Sequence, residues 1–265
     1  MRLRYALVPL VLVLVCRHHA AAPLRFATFN IEDFPKDSRQ VDAAFAEIAA
    51  LDASFVAVEE IGDPALFARV AKDRLGWKFV SERPTDHDPD HLLGLAYDPT
   101  VWEMLTVDVD EDTRVDGREK ATLVVRLHHD AMTVRVLVVH LKSGSDGRAI
   151  RARQYQGLAR ILARSRERTI VLGDFNATEA SDRDSLRTLA ASAGLAWATQ
   201  DLACSAFWRR PDGCPRSRLD HVLTFRAPSR VEAAGACASE GCDAQPTCPL
   251  YATQVSDHCP VLVTF

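Results

Sequence analysis

Apolar, β-branched runs that stop on an acid, an amide or an imidazole constrain this chain more than any other feature. Residues 134–139 lead into His140, and residues 169–172 lead into Gly173-Asp174-Phe175-Asn176. Short runs of this kind read as strands, and a strand that ends on polar residues delivers them to one edge of a sheet. Residues 55–58 stop at Glu59-Glu60, and a run over residues 24–31 carries Asn30 near its end. Later, Asp220-His221 opens a strand and Ser256-Asp257-His258 precedes another. Several strand ends bearing acid/base and metal-type groups imply a shared pocket rather than scattered polarity.

Helical patterns are interleaved with these runs. Val41, Ala44, Phe45, Ile48 and Leu51 form one apolar stripe behind a Ser38 cap. Asp63-Pro64 opens a second helix with Leu66 and Val70 inward. Residues 147–163 are helical with Leu158, Ile161 and Leu162 buried, and Ser181 caps a helix that closes at Gly194. Further strands are expected at residues 77–80, 92–97, 102–109, 219–225 and 260–265. Residues 122–127 and 133–139 form a hairpin around the solvent-facing His128-His129-Asp130 tip. Strands outnumber helices, and hairpins mix with crossovers. The expected fold is α/β, a four-layer sandwich of two packed mixed β-sheets flanked by helices. Residues 23–265 make one domain.

Residues 1–22 stand apart. Arg2 and Arg4 precede an apolar stretch, and Ala20-Ala21-Ala22 supplies small residues near a cleavage point. This pattern is a secretory signal, too short for a membrane span, so the mature chain carries no transmembrane segment and is exported, periplasmic or extracellular. Its loss removes three of the 32 Lys and Arg and none of the 36 Asp and Glu, leaving a charge of −7. The acidic balance argues against tight, nonspecific nucleic-acid binding, but not against an enzyme that touches phosphates locally. Of seven cysteines, six remain after the signal: Cys204, Cys214, Cys237, Cys242, Cys248 and Cys259. An even, clustered set in an exported chain reads as three disulfides. Pairing of sequence neighbours is expected: Cys204–Cys214, Cys237–Cys242 and Cys248–Cys259. No Cys-x-x-Cys pair supports zinc.

The strand-end groups are mostly oxygen donors, so the expected ion is hard: Mg²⁺ first, with Mn²⁺ or Ca²⁺ as alternatives. A hard ion beside two imidazoles suits attack of water on a phosphate ester. In these motifs the chain resembles the endonuclease/exonuclease/phosphatase superfamily, which includes pancreatic-type deoxyribonucleases. The pieces are Thr28-Phe29-Asn30-Ile31, Val58-Glu59-Glu60-Ile61, His140-Leu141-Lys142-Ser143-Gly144, Gly173-Asp174-Phe175-Asn176, Arg218-Leu219-Asp220-His221 and Ser256-Asp257-His258.

The resemblance implies roles residue by residue. Glu60 would ligate the metal, with Asn30 and Asp257 beside it. Asp174 would align or deprotonate the attacking water, and Asn176 would hold a phosphate oxygen or Asp174 itself. His258, buttressed by Asp220, would serve as base or as a hydrogen-bond donor to the transition state. His140 would bind the phosphate and assist the leaving oxygen, with Glu82 or Asp90 as its orienting acid. Glu59 stands where the family usually has Gln, its side chain expected at the core edge or in solvent.

Outside these motifs, His221 is expected to be half-buried beside Asp220 without a chemical role. His87 and His91, among Asp86, Asp88 and Asp90, could bind an ion, but a solvated acidic loop is the favoured reading. Arg148 and Arg151 open an Arg-rich helix and are candidates for the phosphate path. Trp208 and Arg209 follow Phe207 and could stack on bases, or the aromatics could cover a disulfide. The activity expected is a secreted, Mg²⁺-dependent phosphodiester hydrolase, a deoxyribonuclease-like endonuclease acting on nucleic acid with DNA favoured. A phosphoesterase acting on a lipid headgroup or small organic phosphate is the alternative, and a non-catalytic phosphate-binding scaffold is a third. The inositol-phosphatase subfamily is disfavoured because no Trp precedes Gly173-Asp174. No stable protein partner is implied, and a monomer is expected.

Overall fold

The computed structural model describes residues 23–84 and 91–265. The expected signal segment, residues 1–22, and His87 and Asp90 lie outside the described residues. The strands are β1 (Arg25–Phe34), β2 (Phe55–Ile61), β3 (Lys78–Ser81), β4 (Leu92–Tyr97), β5 (Glu103–Asp110), β6 (Thr122–His129) and β7 (Met132–His140). They continue with β8 (Thr169–Asp174), β9 (Ala196–Trp197), β10 (Ala206–Phe207), β11 (Arg216–Ser217), β12 (Asp220–Thr224), β13 (Arg230–Ala233) and β14 (Val261–Thr264). The helices are α1 (Ser38–Ala50), α2 (Pro64–Leu75), α3 (Arg148–Ala163), α4 (Ala180–Ala193), α5 (Gly235–Glu240) and α6 (Tyr251–Gln254). Among the described residues no helix is long and apolar enough to cross a membrane.

Two six-stranded sheets run in the orders β13-β14-β1-β2-β4-β3 and β5-β6-β7-β8-β12-β9. Each is mixed: β1 pairs in parallel with β2 and β7 with β8, while their remaining neighbours are antiparallel. Period-two alternation divides each strand between two environments. Phe26, Phe55, Ala57, Leu93 and Leu95 from the first sheet meet Leu123, Val125, Val136, Val138, Ile170 and Leu172 from the second. The intervening positions face outward. Ala27, Phe29, Val56 and Val58 pack against Phe45 and Ile48 of α1 and Phe67 of α2. Leu137, Val139, Val171 and Leu223 pack against Leu158 and Ile161 of α3 and Leu186 and Leu189 of α4. The result is the expected four-layer sandwich.

Caps set the helix entries and shift two of them. Asp37, not Ser38, caps α1 by accepting from the Arg39 and Gln40 amides. Glu179 caps α4, with Asp182 completing a reciprocal capping box. In α2, Phe67 and Ala71 are the buried residues while Leu66 and Val70 are partly buried beside them. An aromatic side chain one position further along has claimed the inward face.

The third part of the fold is a disulfide-tied cap. Its bridges are Cys204–Cys242, Cys214–Cys248 and Cys237–Cys259, with Cα separations of 5.6, 5.0 and 6.0 Å. The expected pairing of sequence neighbours is therefore wrong. Cys204 precedes β10 and Cys214 lies in the β10–β11 connection of a hairpin in which Ala206 pairs with Ser217 and Phe207 with Arg216. That register offsets the two cysteines along the ladder, beyond bridging distance. Each instead reaches the connection between α5 and α6. Loops of 38, 34 and 22 residues are closed, and each bridge contributes about 3–4 kcal/mol in the chain-entropy account.

Candidate active site

The polar strand ends meet at one end of the inter-sheet core. His140 pairs with Asp174 across β7–β8, and Asp174 with Asp220 across β8–β12. Three adjacent strands thus place three functional side chains side by side. They share the parity of Val138, Leu172 and Val222, so they project toward the other sheet. From that sheet, Asn30 and Glu59 face back, paired across β1–β2. Glu60 would point the other way in a regular strand. A register shift between Val58 and Ile61 and a left-handed φ of 63° at Glu60 redirect it to the site.

Gly173 is required by the same geometry. Its φ is 139°, and a Cβ there would sit 1.9 Å from the Val139 carbonyl oxygen. Asn176 follows in a left-handed conformation, φ 48°, which Asn tolerates better than most side chains. Its backbone N–H donates to Asp174 Oδ1 at 2.7 Å, and its Nδ2 donates to Asp174 Oδ2 at 2.9 Å and Leu141 O at 3.0 Å. Asn30 Nδ2 donates to Glu60 Oε1 at 3.0 Å and to Asp174 Oδ2 at 3.3 Å, while its Oδ1 accepts from the Glu32 N–H at 3.0 Å. Asn30 therefore ties the two carboxylates together, with both ends of its amide engaged.

Two imidazoles converge on Asp174. His140 Nε2 is 3.5 Å and His258 Nε2 3.9 Å from Asp174 Oδ2. His140 Nε2 is also 3.7 Å from Glu60 Oε1. His258 Nδ1 bonds to both oxygens of Asp220, at 3.1 and 2.9 Å, which orients the ring with Nε2 toward the cleft. Burial opposes a charge on His258, but Asp220, Asp174 and Asp257 outweigh it and hold its pKa well above the ordinary range. His140 moves the other way: burial lowers its pKa, and Asp174 and Glu60 offset this only in part. The two environments thus pull in opposite directions, favouring the charged form at His258 and the neutral form at His140. His140 Nδ1 is buried without a hydrogen-bond partner among the described residues. Glu82, one candidate to orient it, instead accepts from the Leu93 N–H at 2.9 Å.

The carboxylates are also differentiated. Burial raises the pKa of Asp174, against the pull of His258 and His140. Glu60 is buried too, yet His140, the Asn30 amide and His258 hold it below the usual range. Asp257 is pushed up to about 6, first by burial and then by Glu32 and Glu60, against the opposing pull of His258. Its Oδ1 is buried, 3.8 Å from His258 Nε2, and has no hydrogen-bond partner among the described residues. Glu59 is fully buried at the core edge, where Thr28 Oγ1 donates to it at 2.8 Å. Burial beside Asp220 and Asp174 raises its pKa strongly, which disfavours its charged form.

The cleft above these groups holds about 1160 Å³. Arg118, Lys120 and Lys142 line one side of it, and Phe207, Trp208 and Arg210 line another. Trp208 is 52% exposed, and the Arg210 guanidinium lies 4.0 Å from its ring centroid. Phe207 is buried with Cys204 and Cys214, so one aromatic covers the disulfides and the other faces the cleft. Arg209 is exposed but does not line the cleft, whereas its neighbour Arg210 does. A β-strand's two-residue alternation from Trp208 could have signalled it.

Arg151, unlike Arg148, differs from expectation. Arg148 is exposed and pairs with Glu179 at 3.3 Å. Arg151 is wholly buried: its Nε and Nη2 reach Asp182 at 3.0 and 2.9 Å, and Nη1 donates to the Lys142 and Gly144 carbonyls at 2.8 and 2.6 Å. It binds no substrate from there; it clamps two cleft loops. His221 is fully buried rather than half-buried. It faces away from Asp220, its Nδ1 against Thr199 Oγ1 at 2.9 Å and Trp197 Nε1 at 3.2 Å.

The fold and the clustered strand ends define a two-sheet sandwich with a phosphoesterase-type cleft. The family model for the Endonuclease/Exonuclease/phosphatase family matches residues 27–258, and the chain belongs to that family. Its members are divalent-metal-dependent phosphoesterases. No curated protein matches the sequence. Among solved structures, humanized D. rerio TDP2 is similar at a TM-score of 0.72 and 15% identity, over 92% of this chain and 98% of that one. The human Nocturnin catalytic domain with bound sulfate gives 0.68 and 16%, over 91% and 93%. ANGEL2, a 2',3'-cyclic phosphatase in complex with adenosine-2',3'-vanadate, gives 0.67 and 14%, over 92% and 95%. At these identities the likeness establishes the fold.

Proposed function

We propose that the chain is an exported, Mg²⁺-dependent phosphodiesterase that cleaves nucleic acid internally, with DNA favoured. The observation that carries this reading is the convergence of His140, His258, Asn30 and Asn176 on the Asp174 carboxylate, with Glu60 within 3.7 Å of His140. A hard divalent ion fits the donor set. Against burial, His140 and the Asn30 amide hold the Glu60 pKa low, and Asp257 offers a buried Oδ1 with no hydrogen-bond partner among the described residues, 3.8 Å from His258 Nε2. Glu60 and Asp257 would hold the ion while Asn30 orients Glu60. The ion would neutralise charge on a non-bridging phosphate oxygen.

The chain's own groups divide the remaining work. Asp174, held by two amides, orients the attacking water and accepts its proton. Cationic His258, backed by Asp220, donates a hydrogen bond to the phosphate oxygens as charge builds on them. His140, neutral and beside Asp174, contacts the phosphate and assists the leaving oxygen. Lys142, Lys120 and Arg118 provide positive charge along the cleft, despite the acidic total. Trp208, with Arg210 against it, offers a face for an unstacked base. The single-stranded DNA product bound to a D. rerio TDP2 neighbour is in keeping with such a substrate. The three disulfides are in keeping with export.

A Mg²⁺-supplemented substrate panel tests the reading: duplex and single-stranded DNA, RNA, sphingomyelin and bis-p-nitrophenyl phosphate. DNA is expected to be cut fastest. The Trp208→Ala/Arg210→Ala double variant should lower DNA turnover at least tenfold, with bis-p-nitrophenyl phosphate turnover changed less than twofold. Preferential hydrolysis of sphingomyelin would move the protein to the lipid-headgroup alternative. Equal losses on DNA and the small diester would remove Trp208 and Arg210 from substrate recognition.

A further inference from the structure

Beside the cleft, Asp33, Glu60 and His91 bring ligand atoms within 4.8 Å of one another. Asp33 Oδ1 is 2.7 Å from His91 Nε2, and the Asp33 N–H donates to Glu60 Oε2 at 3.3 Å. Glu60 is what makes the cluster informative. Its other oxygen, Oε1, faces Asn30 Nδ2 at 3.0 Å and His140 Nε2 at 3.7 Å. The two oxygens of one carboxylate thus serve two different clusters. His91, read in the sequence as part of a solvated acidic loop, is instead drawn to the β1 and β2 ends.

We propose that Asp33, Glu60 and His91 form a second divalent-cation site, joined through a bridging Glu60 to the one proposed at Asp257. A carboxylate whose oxygens point to opposite sides suits ions a few ångströms apart, the spacing of two-metal phosphoesterase centres. The ligand type separates the two sites. Glu60 with Asp257 offers oxygen alone and suits Mg²⁺. The second site adds an imidazole to two carboxylates, which favours a borderline first-row ion such as Mn²⁺ or Zn²⁺. Binding there would replace the Asp33–His91 hydrogen bond, with the Nε2 lone pair of His91 given to the ion and the ring N–H carried on Nδ1. Asp33 and His91 are half-open to solvent, with side-chain exposures of 60% and 47%, so an ion can enter without rearrangement of the core.

The inference rests on the proposed metal phosphoesterase reading only through the shared Glu60, and the two can fail separately. The test is a Mn²⁺ titration of the full chain followed by electron paramagnetic resonance, with circular dichroism to confirm that each variant is folded. Wild type is expected to bind two Mn²⁺ per chain and to show the broadened spectrum of a spin-coupled pair. His91→Ala and Asp33→Asn should each bind one, with an uncoupled spectrum, and Asp257→Asn should retain the ion at His91. One ion in wild type, lost in Asp257→Asn but kept in His91→Ala, overturns this inference and leaves the phosphodiesterase reading standing. Two ions kept in both His91→Ala and Asp33→Asn also overturn it. No Mn²⁺ bound by wild type overturns both.

Discussion

At the scale of single residues, environment rather than residue type decides what each histidine does. His258 and His221 are both buried. Asp220 meets the first with a charge, whereas the second meets Thr199, Trp197 and the ring of Phe175. Trp197 Nε1–H donates to His221 Nδ1, which requires that nitrogen to stay unprotonated. Burial first, then Arg218, lowers the His221 pKa from 6.5 to about 3. The sign follows from linkage: the unfolded chain takes up a proton that the folded chain refuses. The contribution of His221 is therefore intact above pH 6.5 and is lost as pH falls toward 3. Urea denaturation at pH 7 and pH 4.5 should show a smaller pH-dependent loss of stability in His221→Gln than in wild type. Equal losses would contradict a neutral buried imidazole.

Sequence motifs already named most of these residues, because acid, amide and imidazole groups after apolar runs are distinctive. They could not give orientation. Glu59 and Glu60 are adjacent in sequence, and only the register shift at the end of β2 explains why both face the site. The Asp174 environment was legible in outline; Asn176 gripping both its oxygens depends on a left-handed turn that no composition rule specifies.

At the scale of elements, the β7–α3 and β8–α4 connections line the cleft, and Arg151 bonds to both. Its guanidinium joins the Lys142 and Gly144 carbonyls to Asp182 in the α4 capping box. From the sequence, Arg151 was one of several arginines on a helix, and spacing does not distinguish a buried guanidinium from a solvated one. Removing it leaves the buried Asp182 carboxylate without its cation, which typically costs about 3–5 kcal/mol. Arg151→Ala should lose stability on that order and also lose turnover through the displaced Lys142 loop. Arg151→Lys should recover less than half of the stability, because an ammonium cannot span both loops. Full recovery in a chemical denaturation series would refute the bidentate clamp. The cap posed the opposite difficulty: its six cysteines were plain, but their pairing follows from the β10–β11 register and the position of α5, which are tertiary facts.

At the scale of the whole molecule, two periodicities generate the architecture. Alternation by two gives each sheet an inner and an outer apolar face, and helical stripes on α1 to α4 cover the outer faces. The layering was therefore legible from pattern, whereas the strand order within each sheet comes from the structure. The edge strands β9, β10, β11 and β13 were not, being two to four residues long, below the length at which alternation carries information. The sandwich matters for function because parallel and antiparallel neighbours bring β1, β2, β7, β8 and β12 to the same end. A disulfide-tied cap then adds an aromatic and cationic wall from a segment distant in sequence.

The central claim, a metal-supported hydrolysis centred on Asp174 and His258, is tested most directly by single-turnover cleavage of DNA. Wild type, Asp174→Asn and His258→Asn would be compared with Mg²⁺, after EDTA, and after Mg²⁺ is restored. The account predicts that EDTA abolishes wild-type cleavage, that Mg²⁺ restores it, and that each variant is slower by about 10²–10⁴-fold in Mg²⁺ while remaining folded. Undiminished cleavage in EDTA, or wild-type rates in both variants, would contradict it.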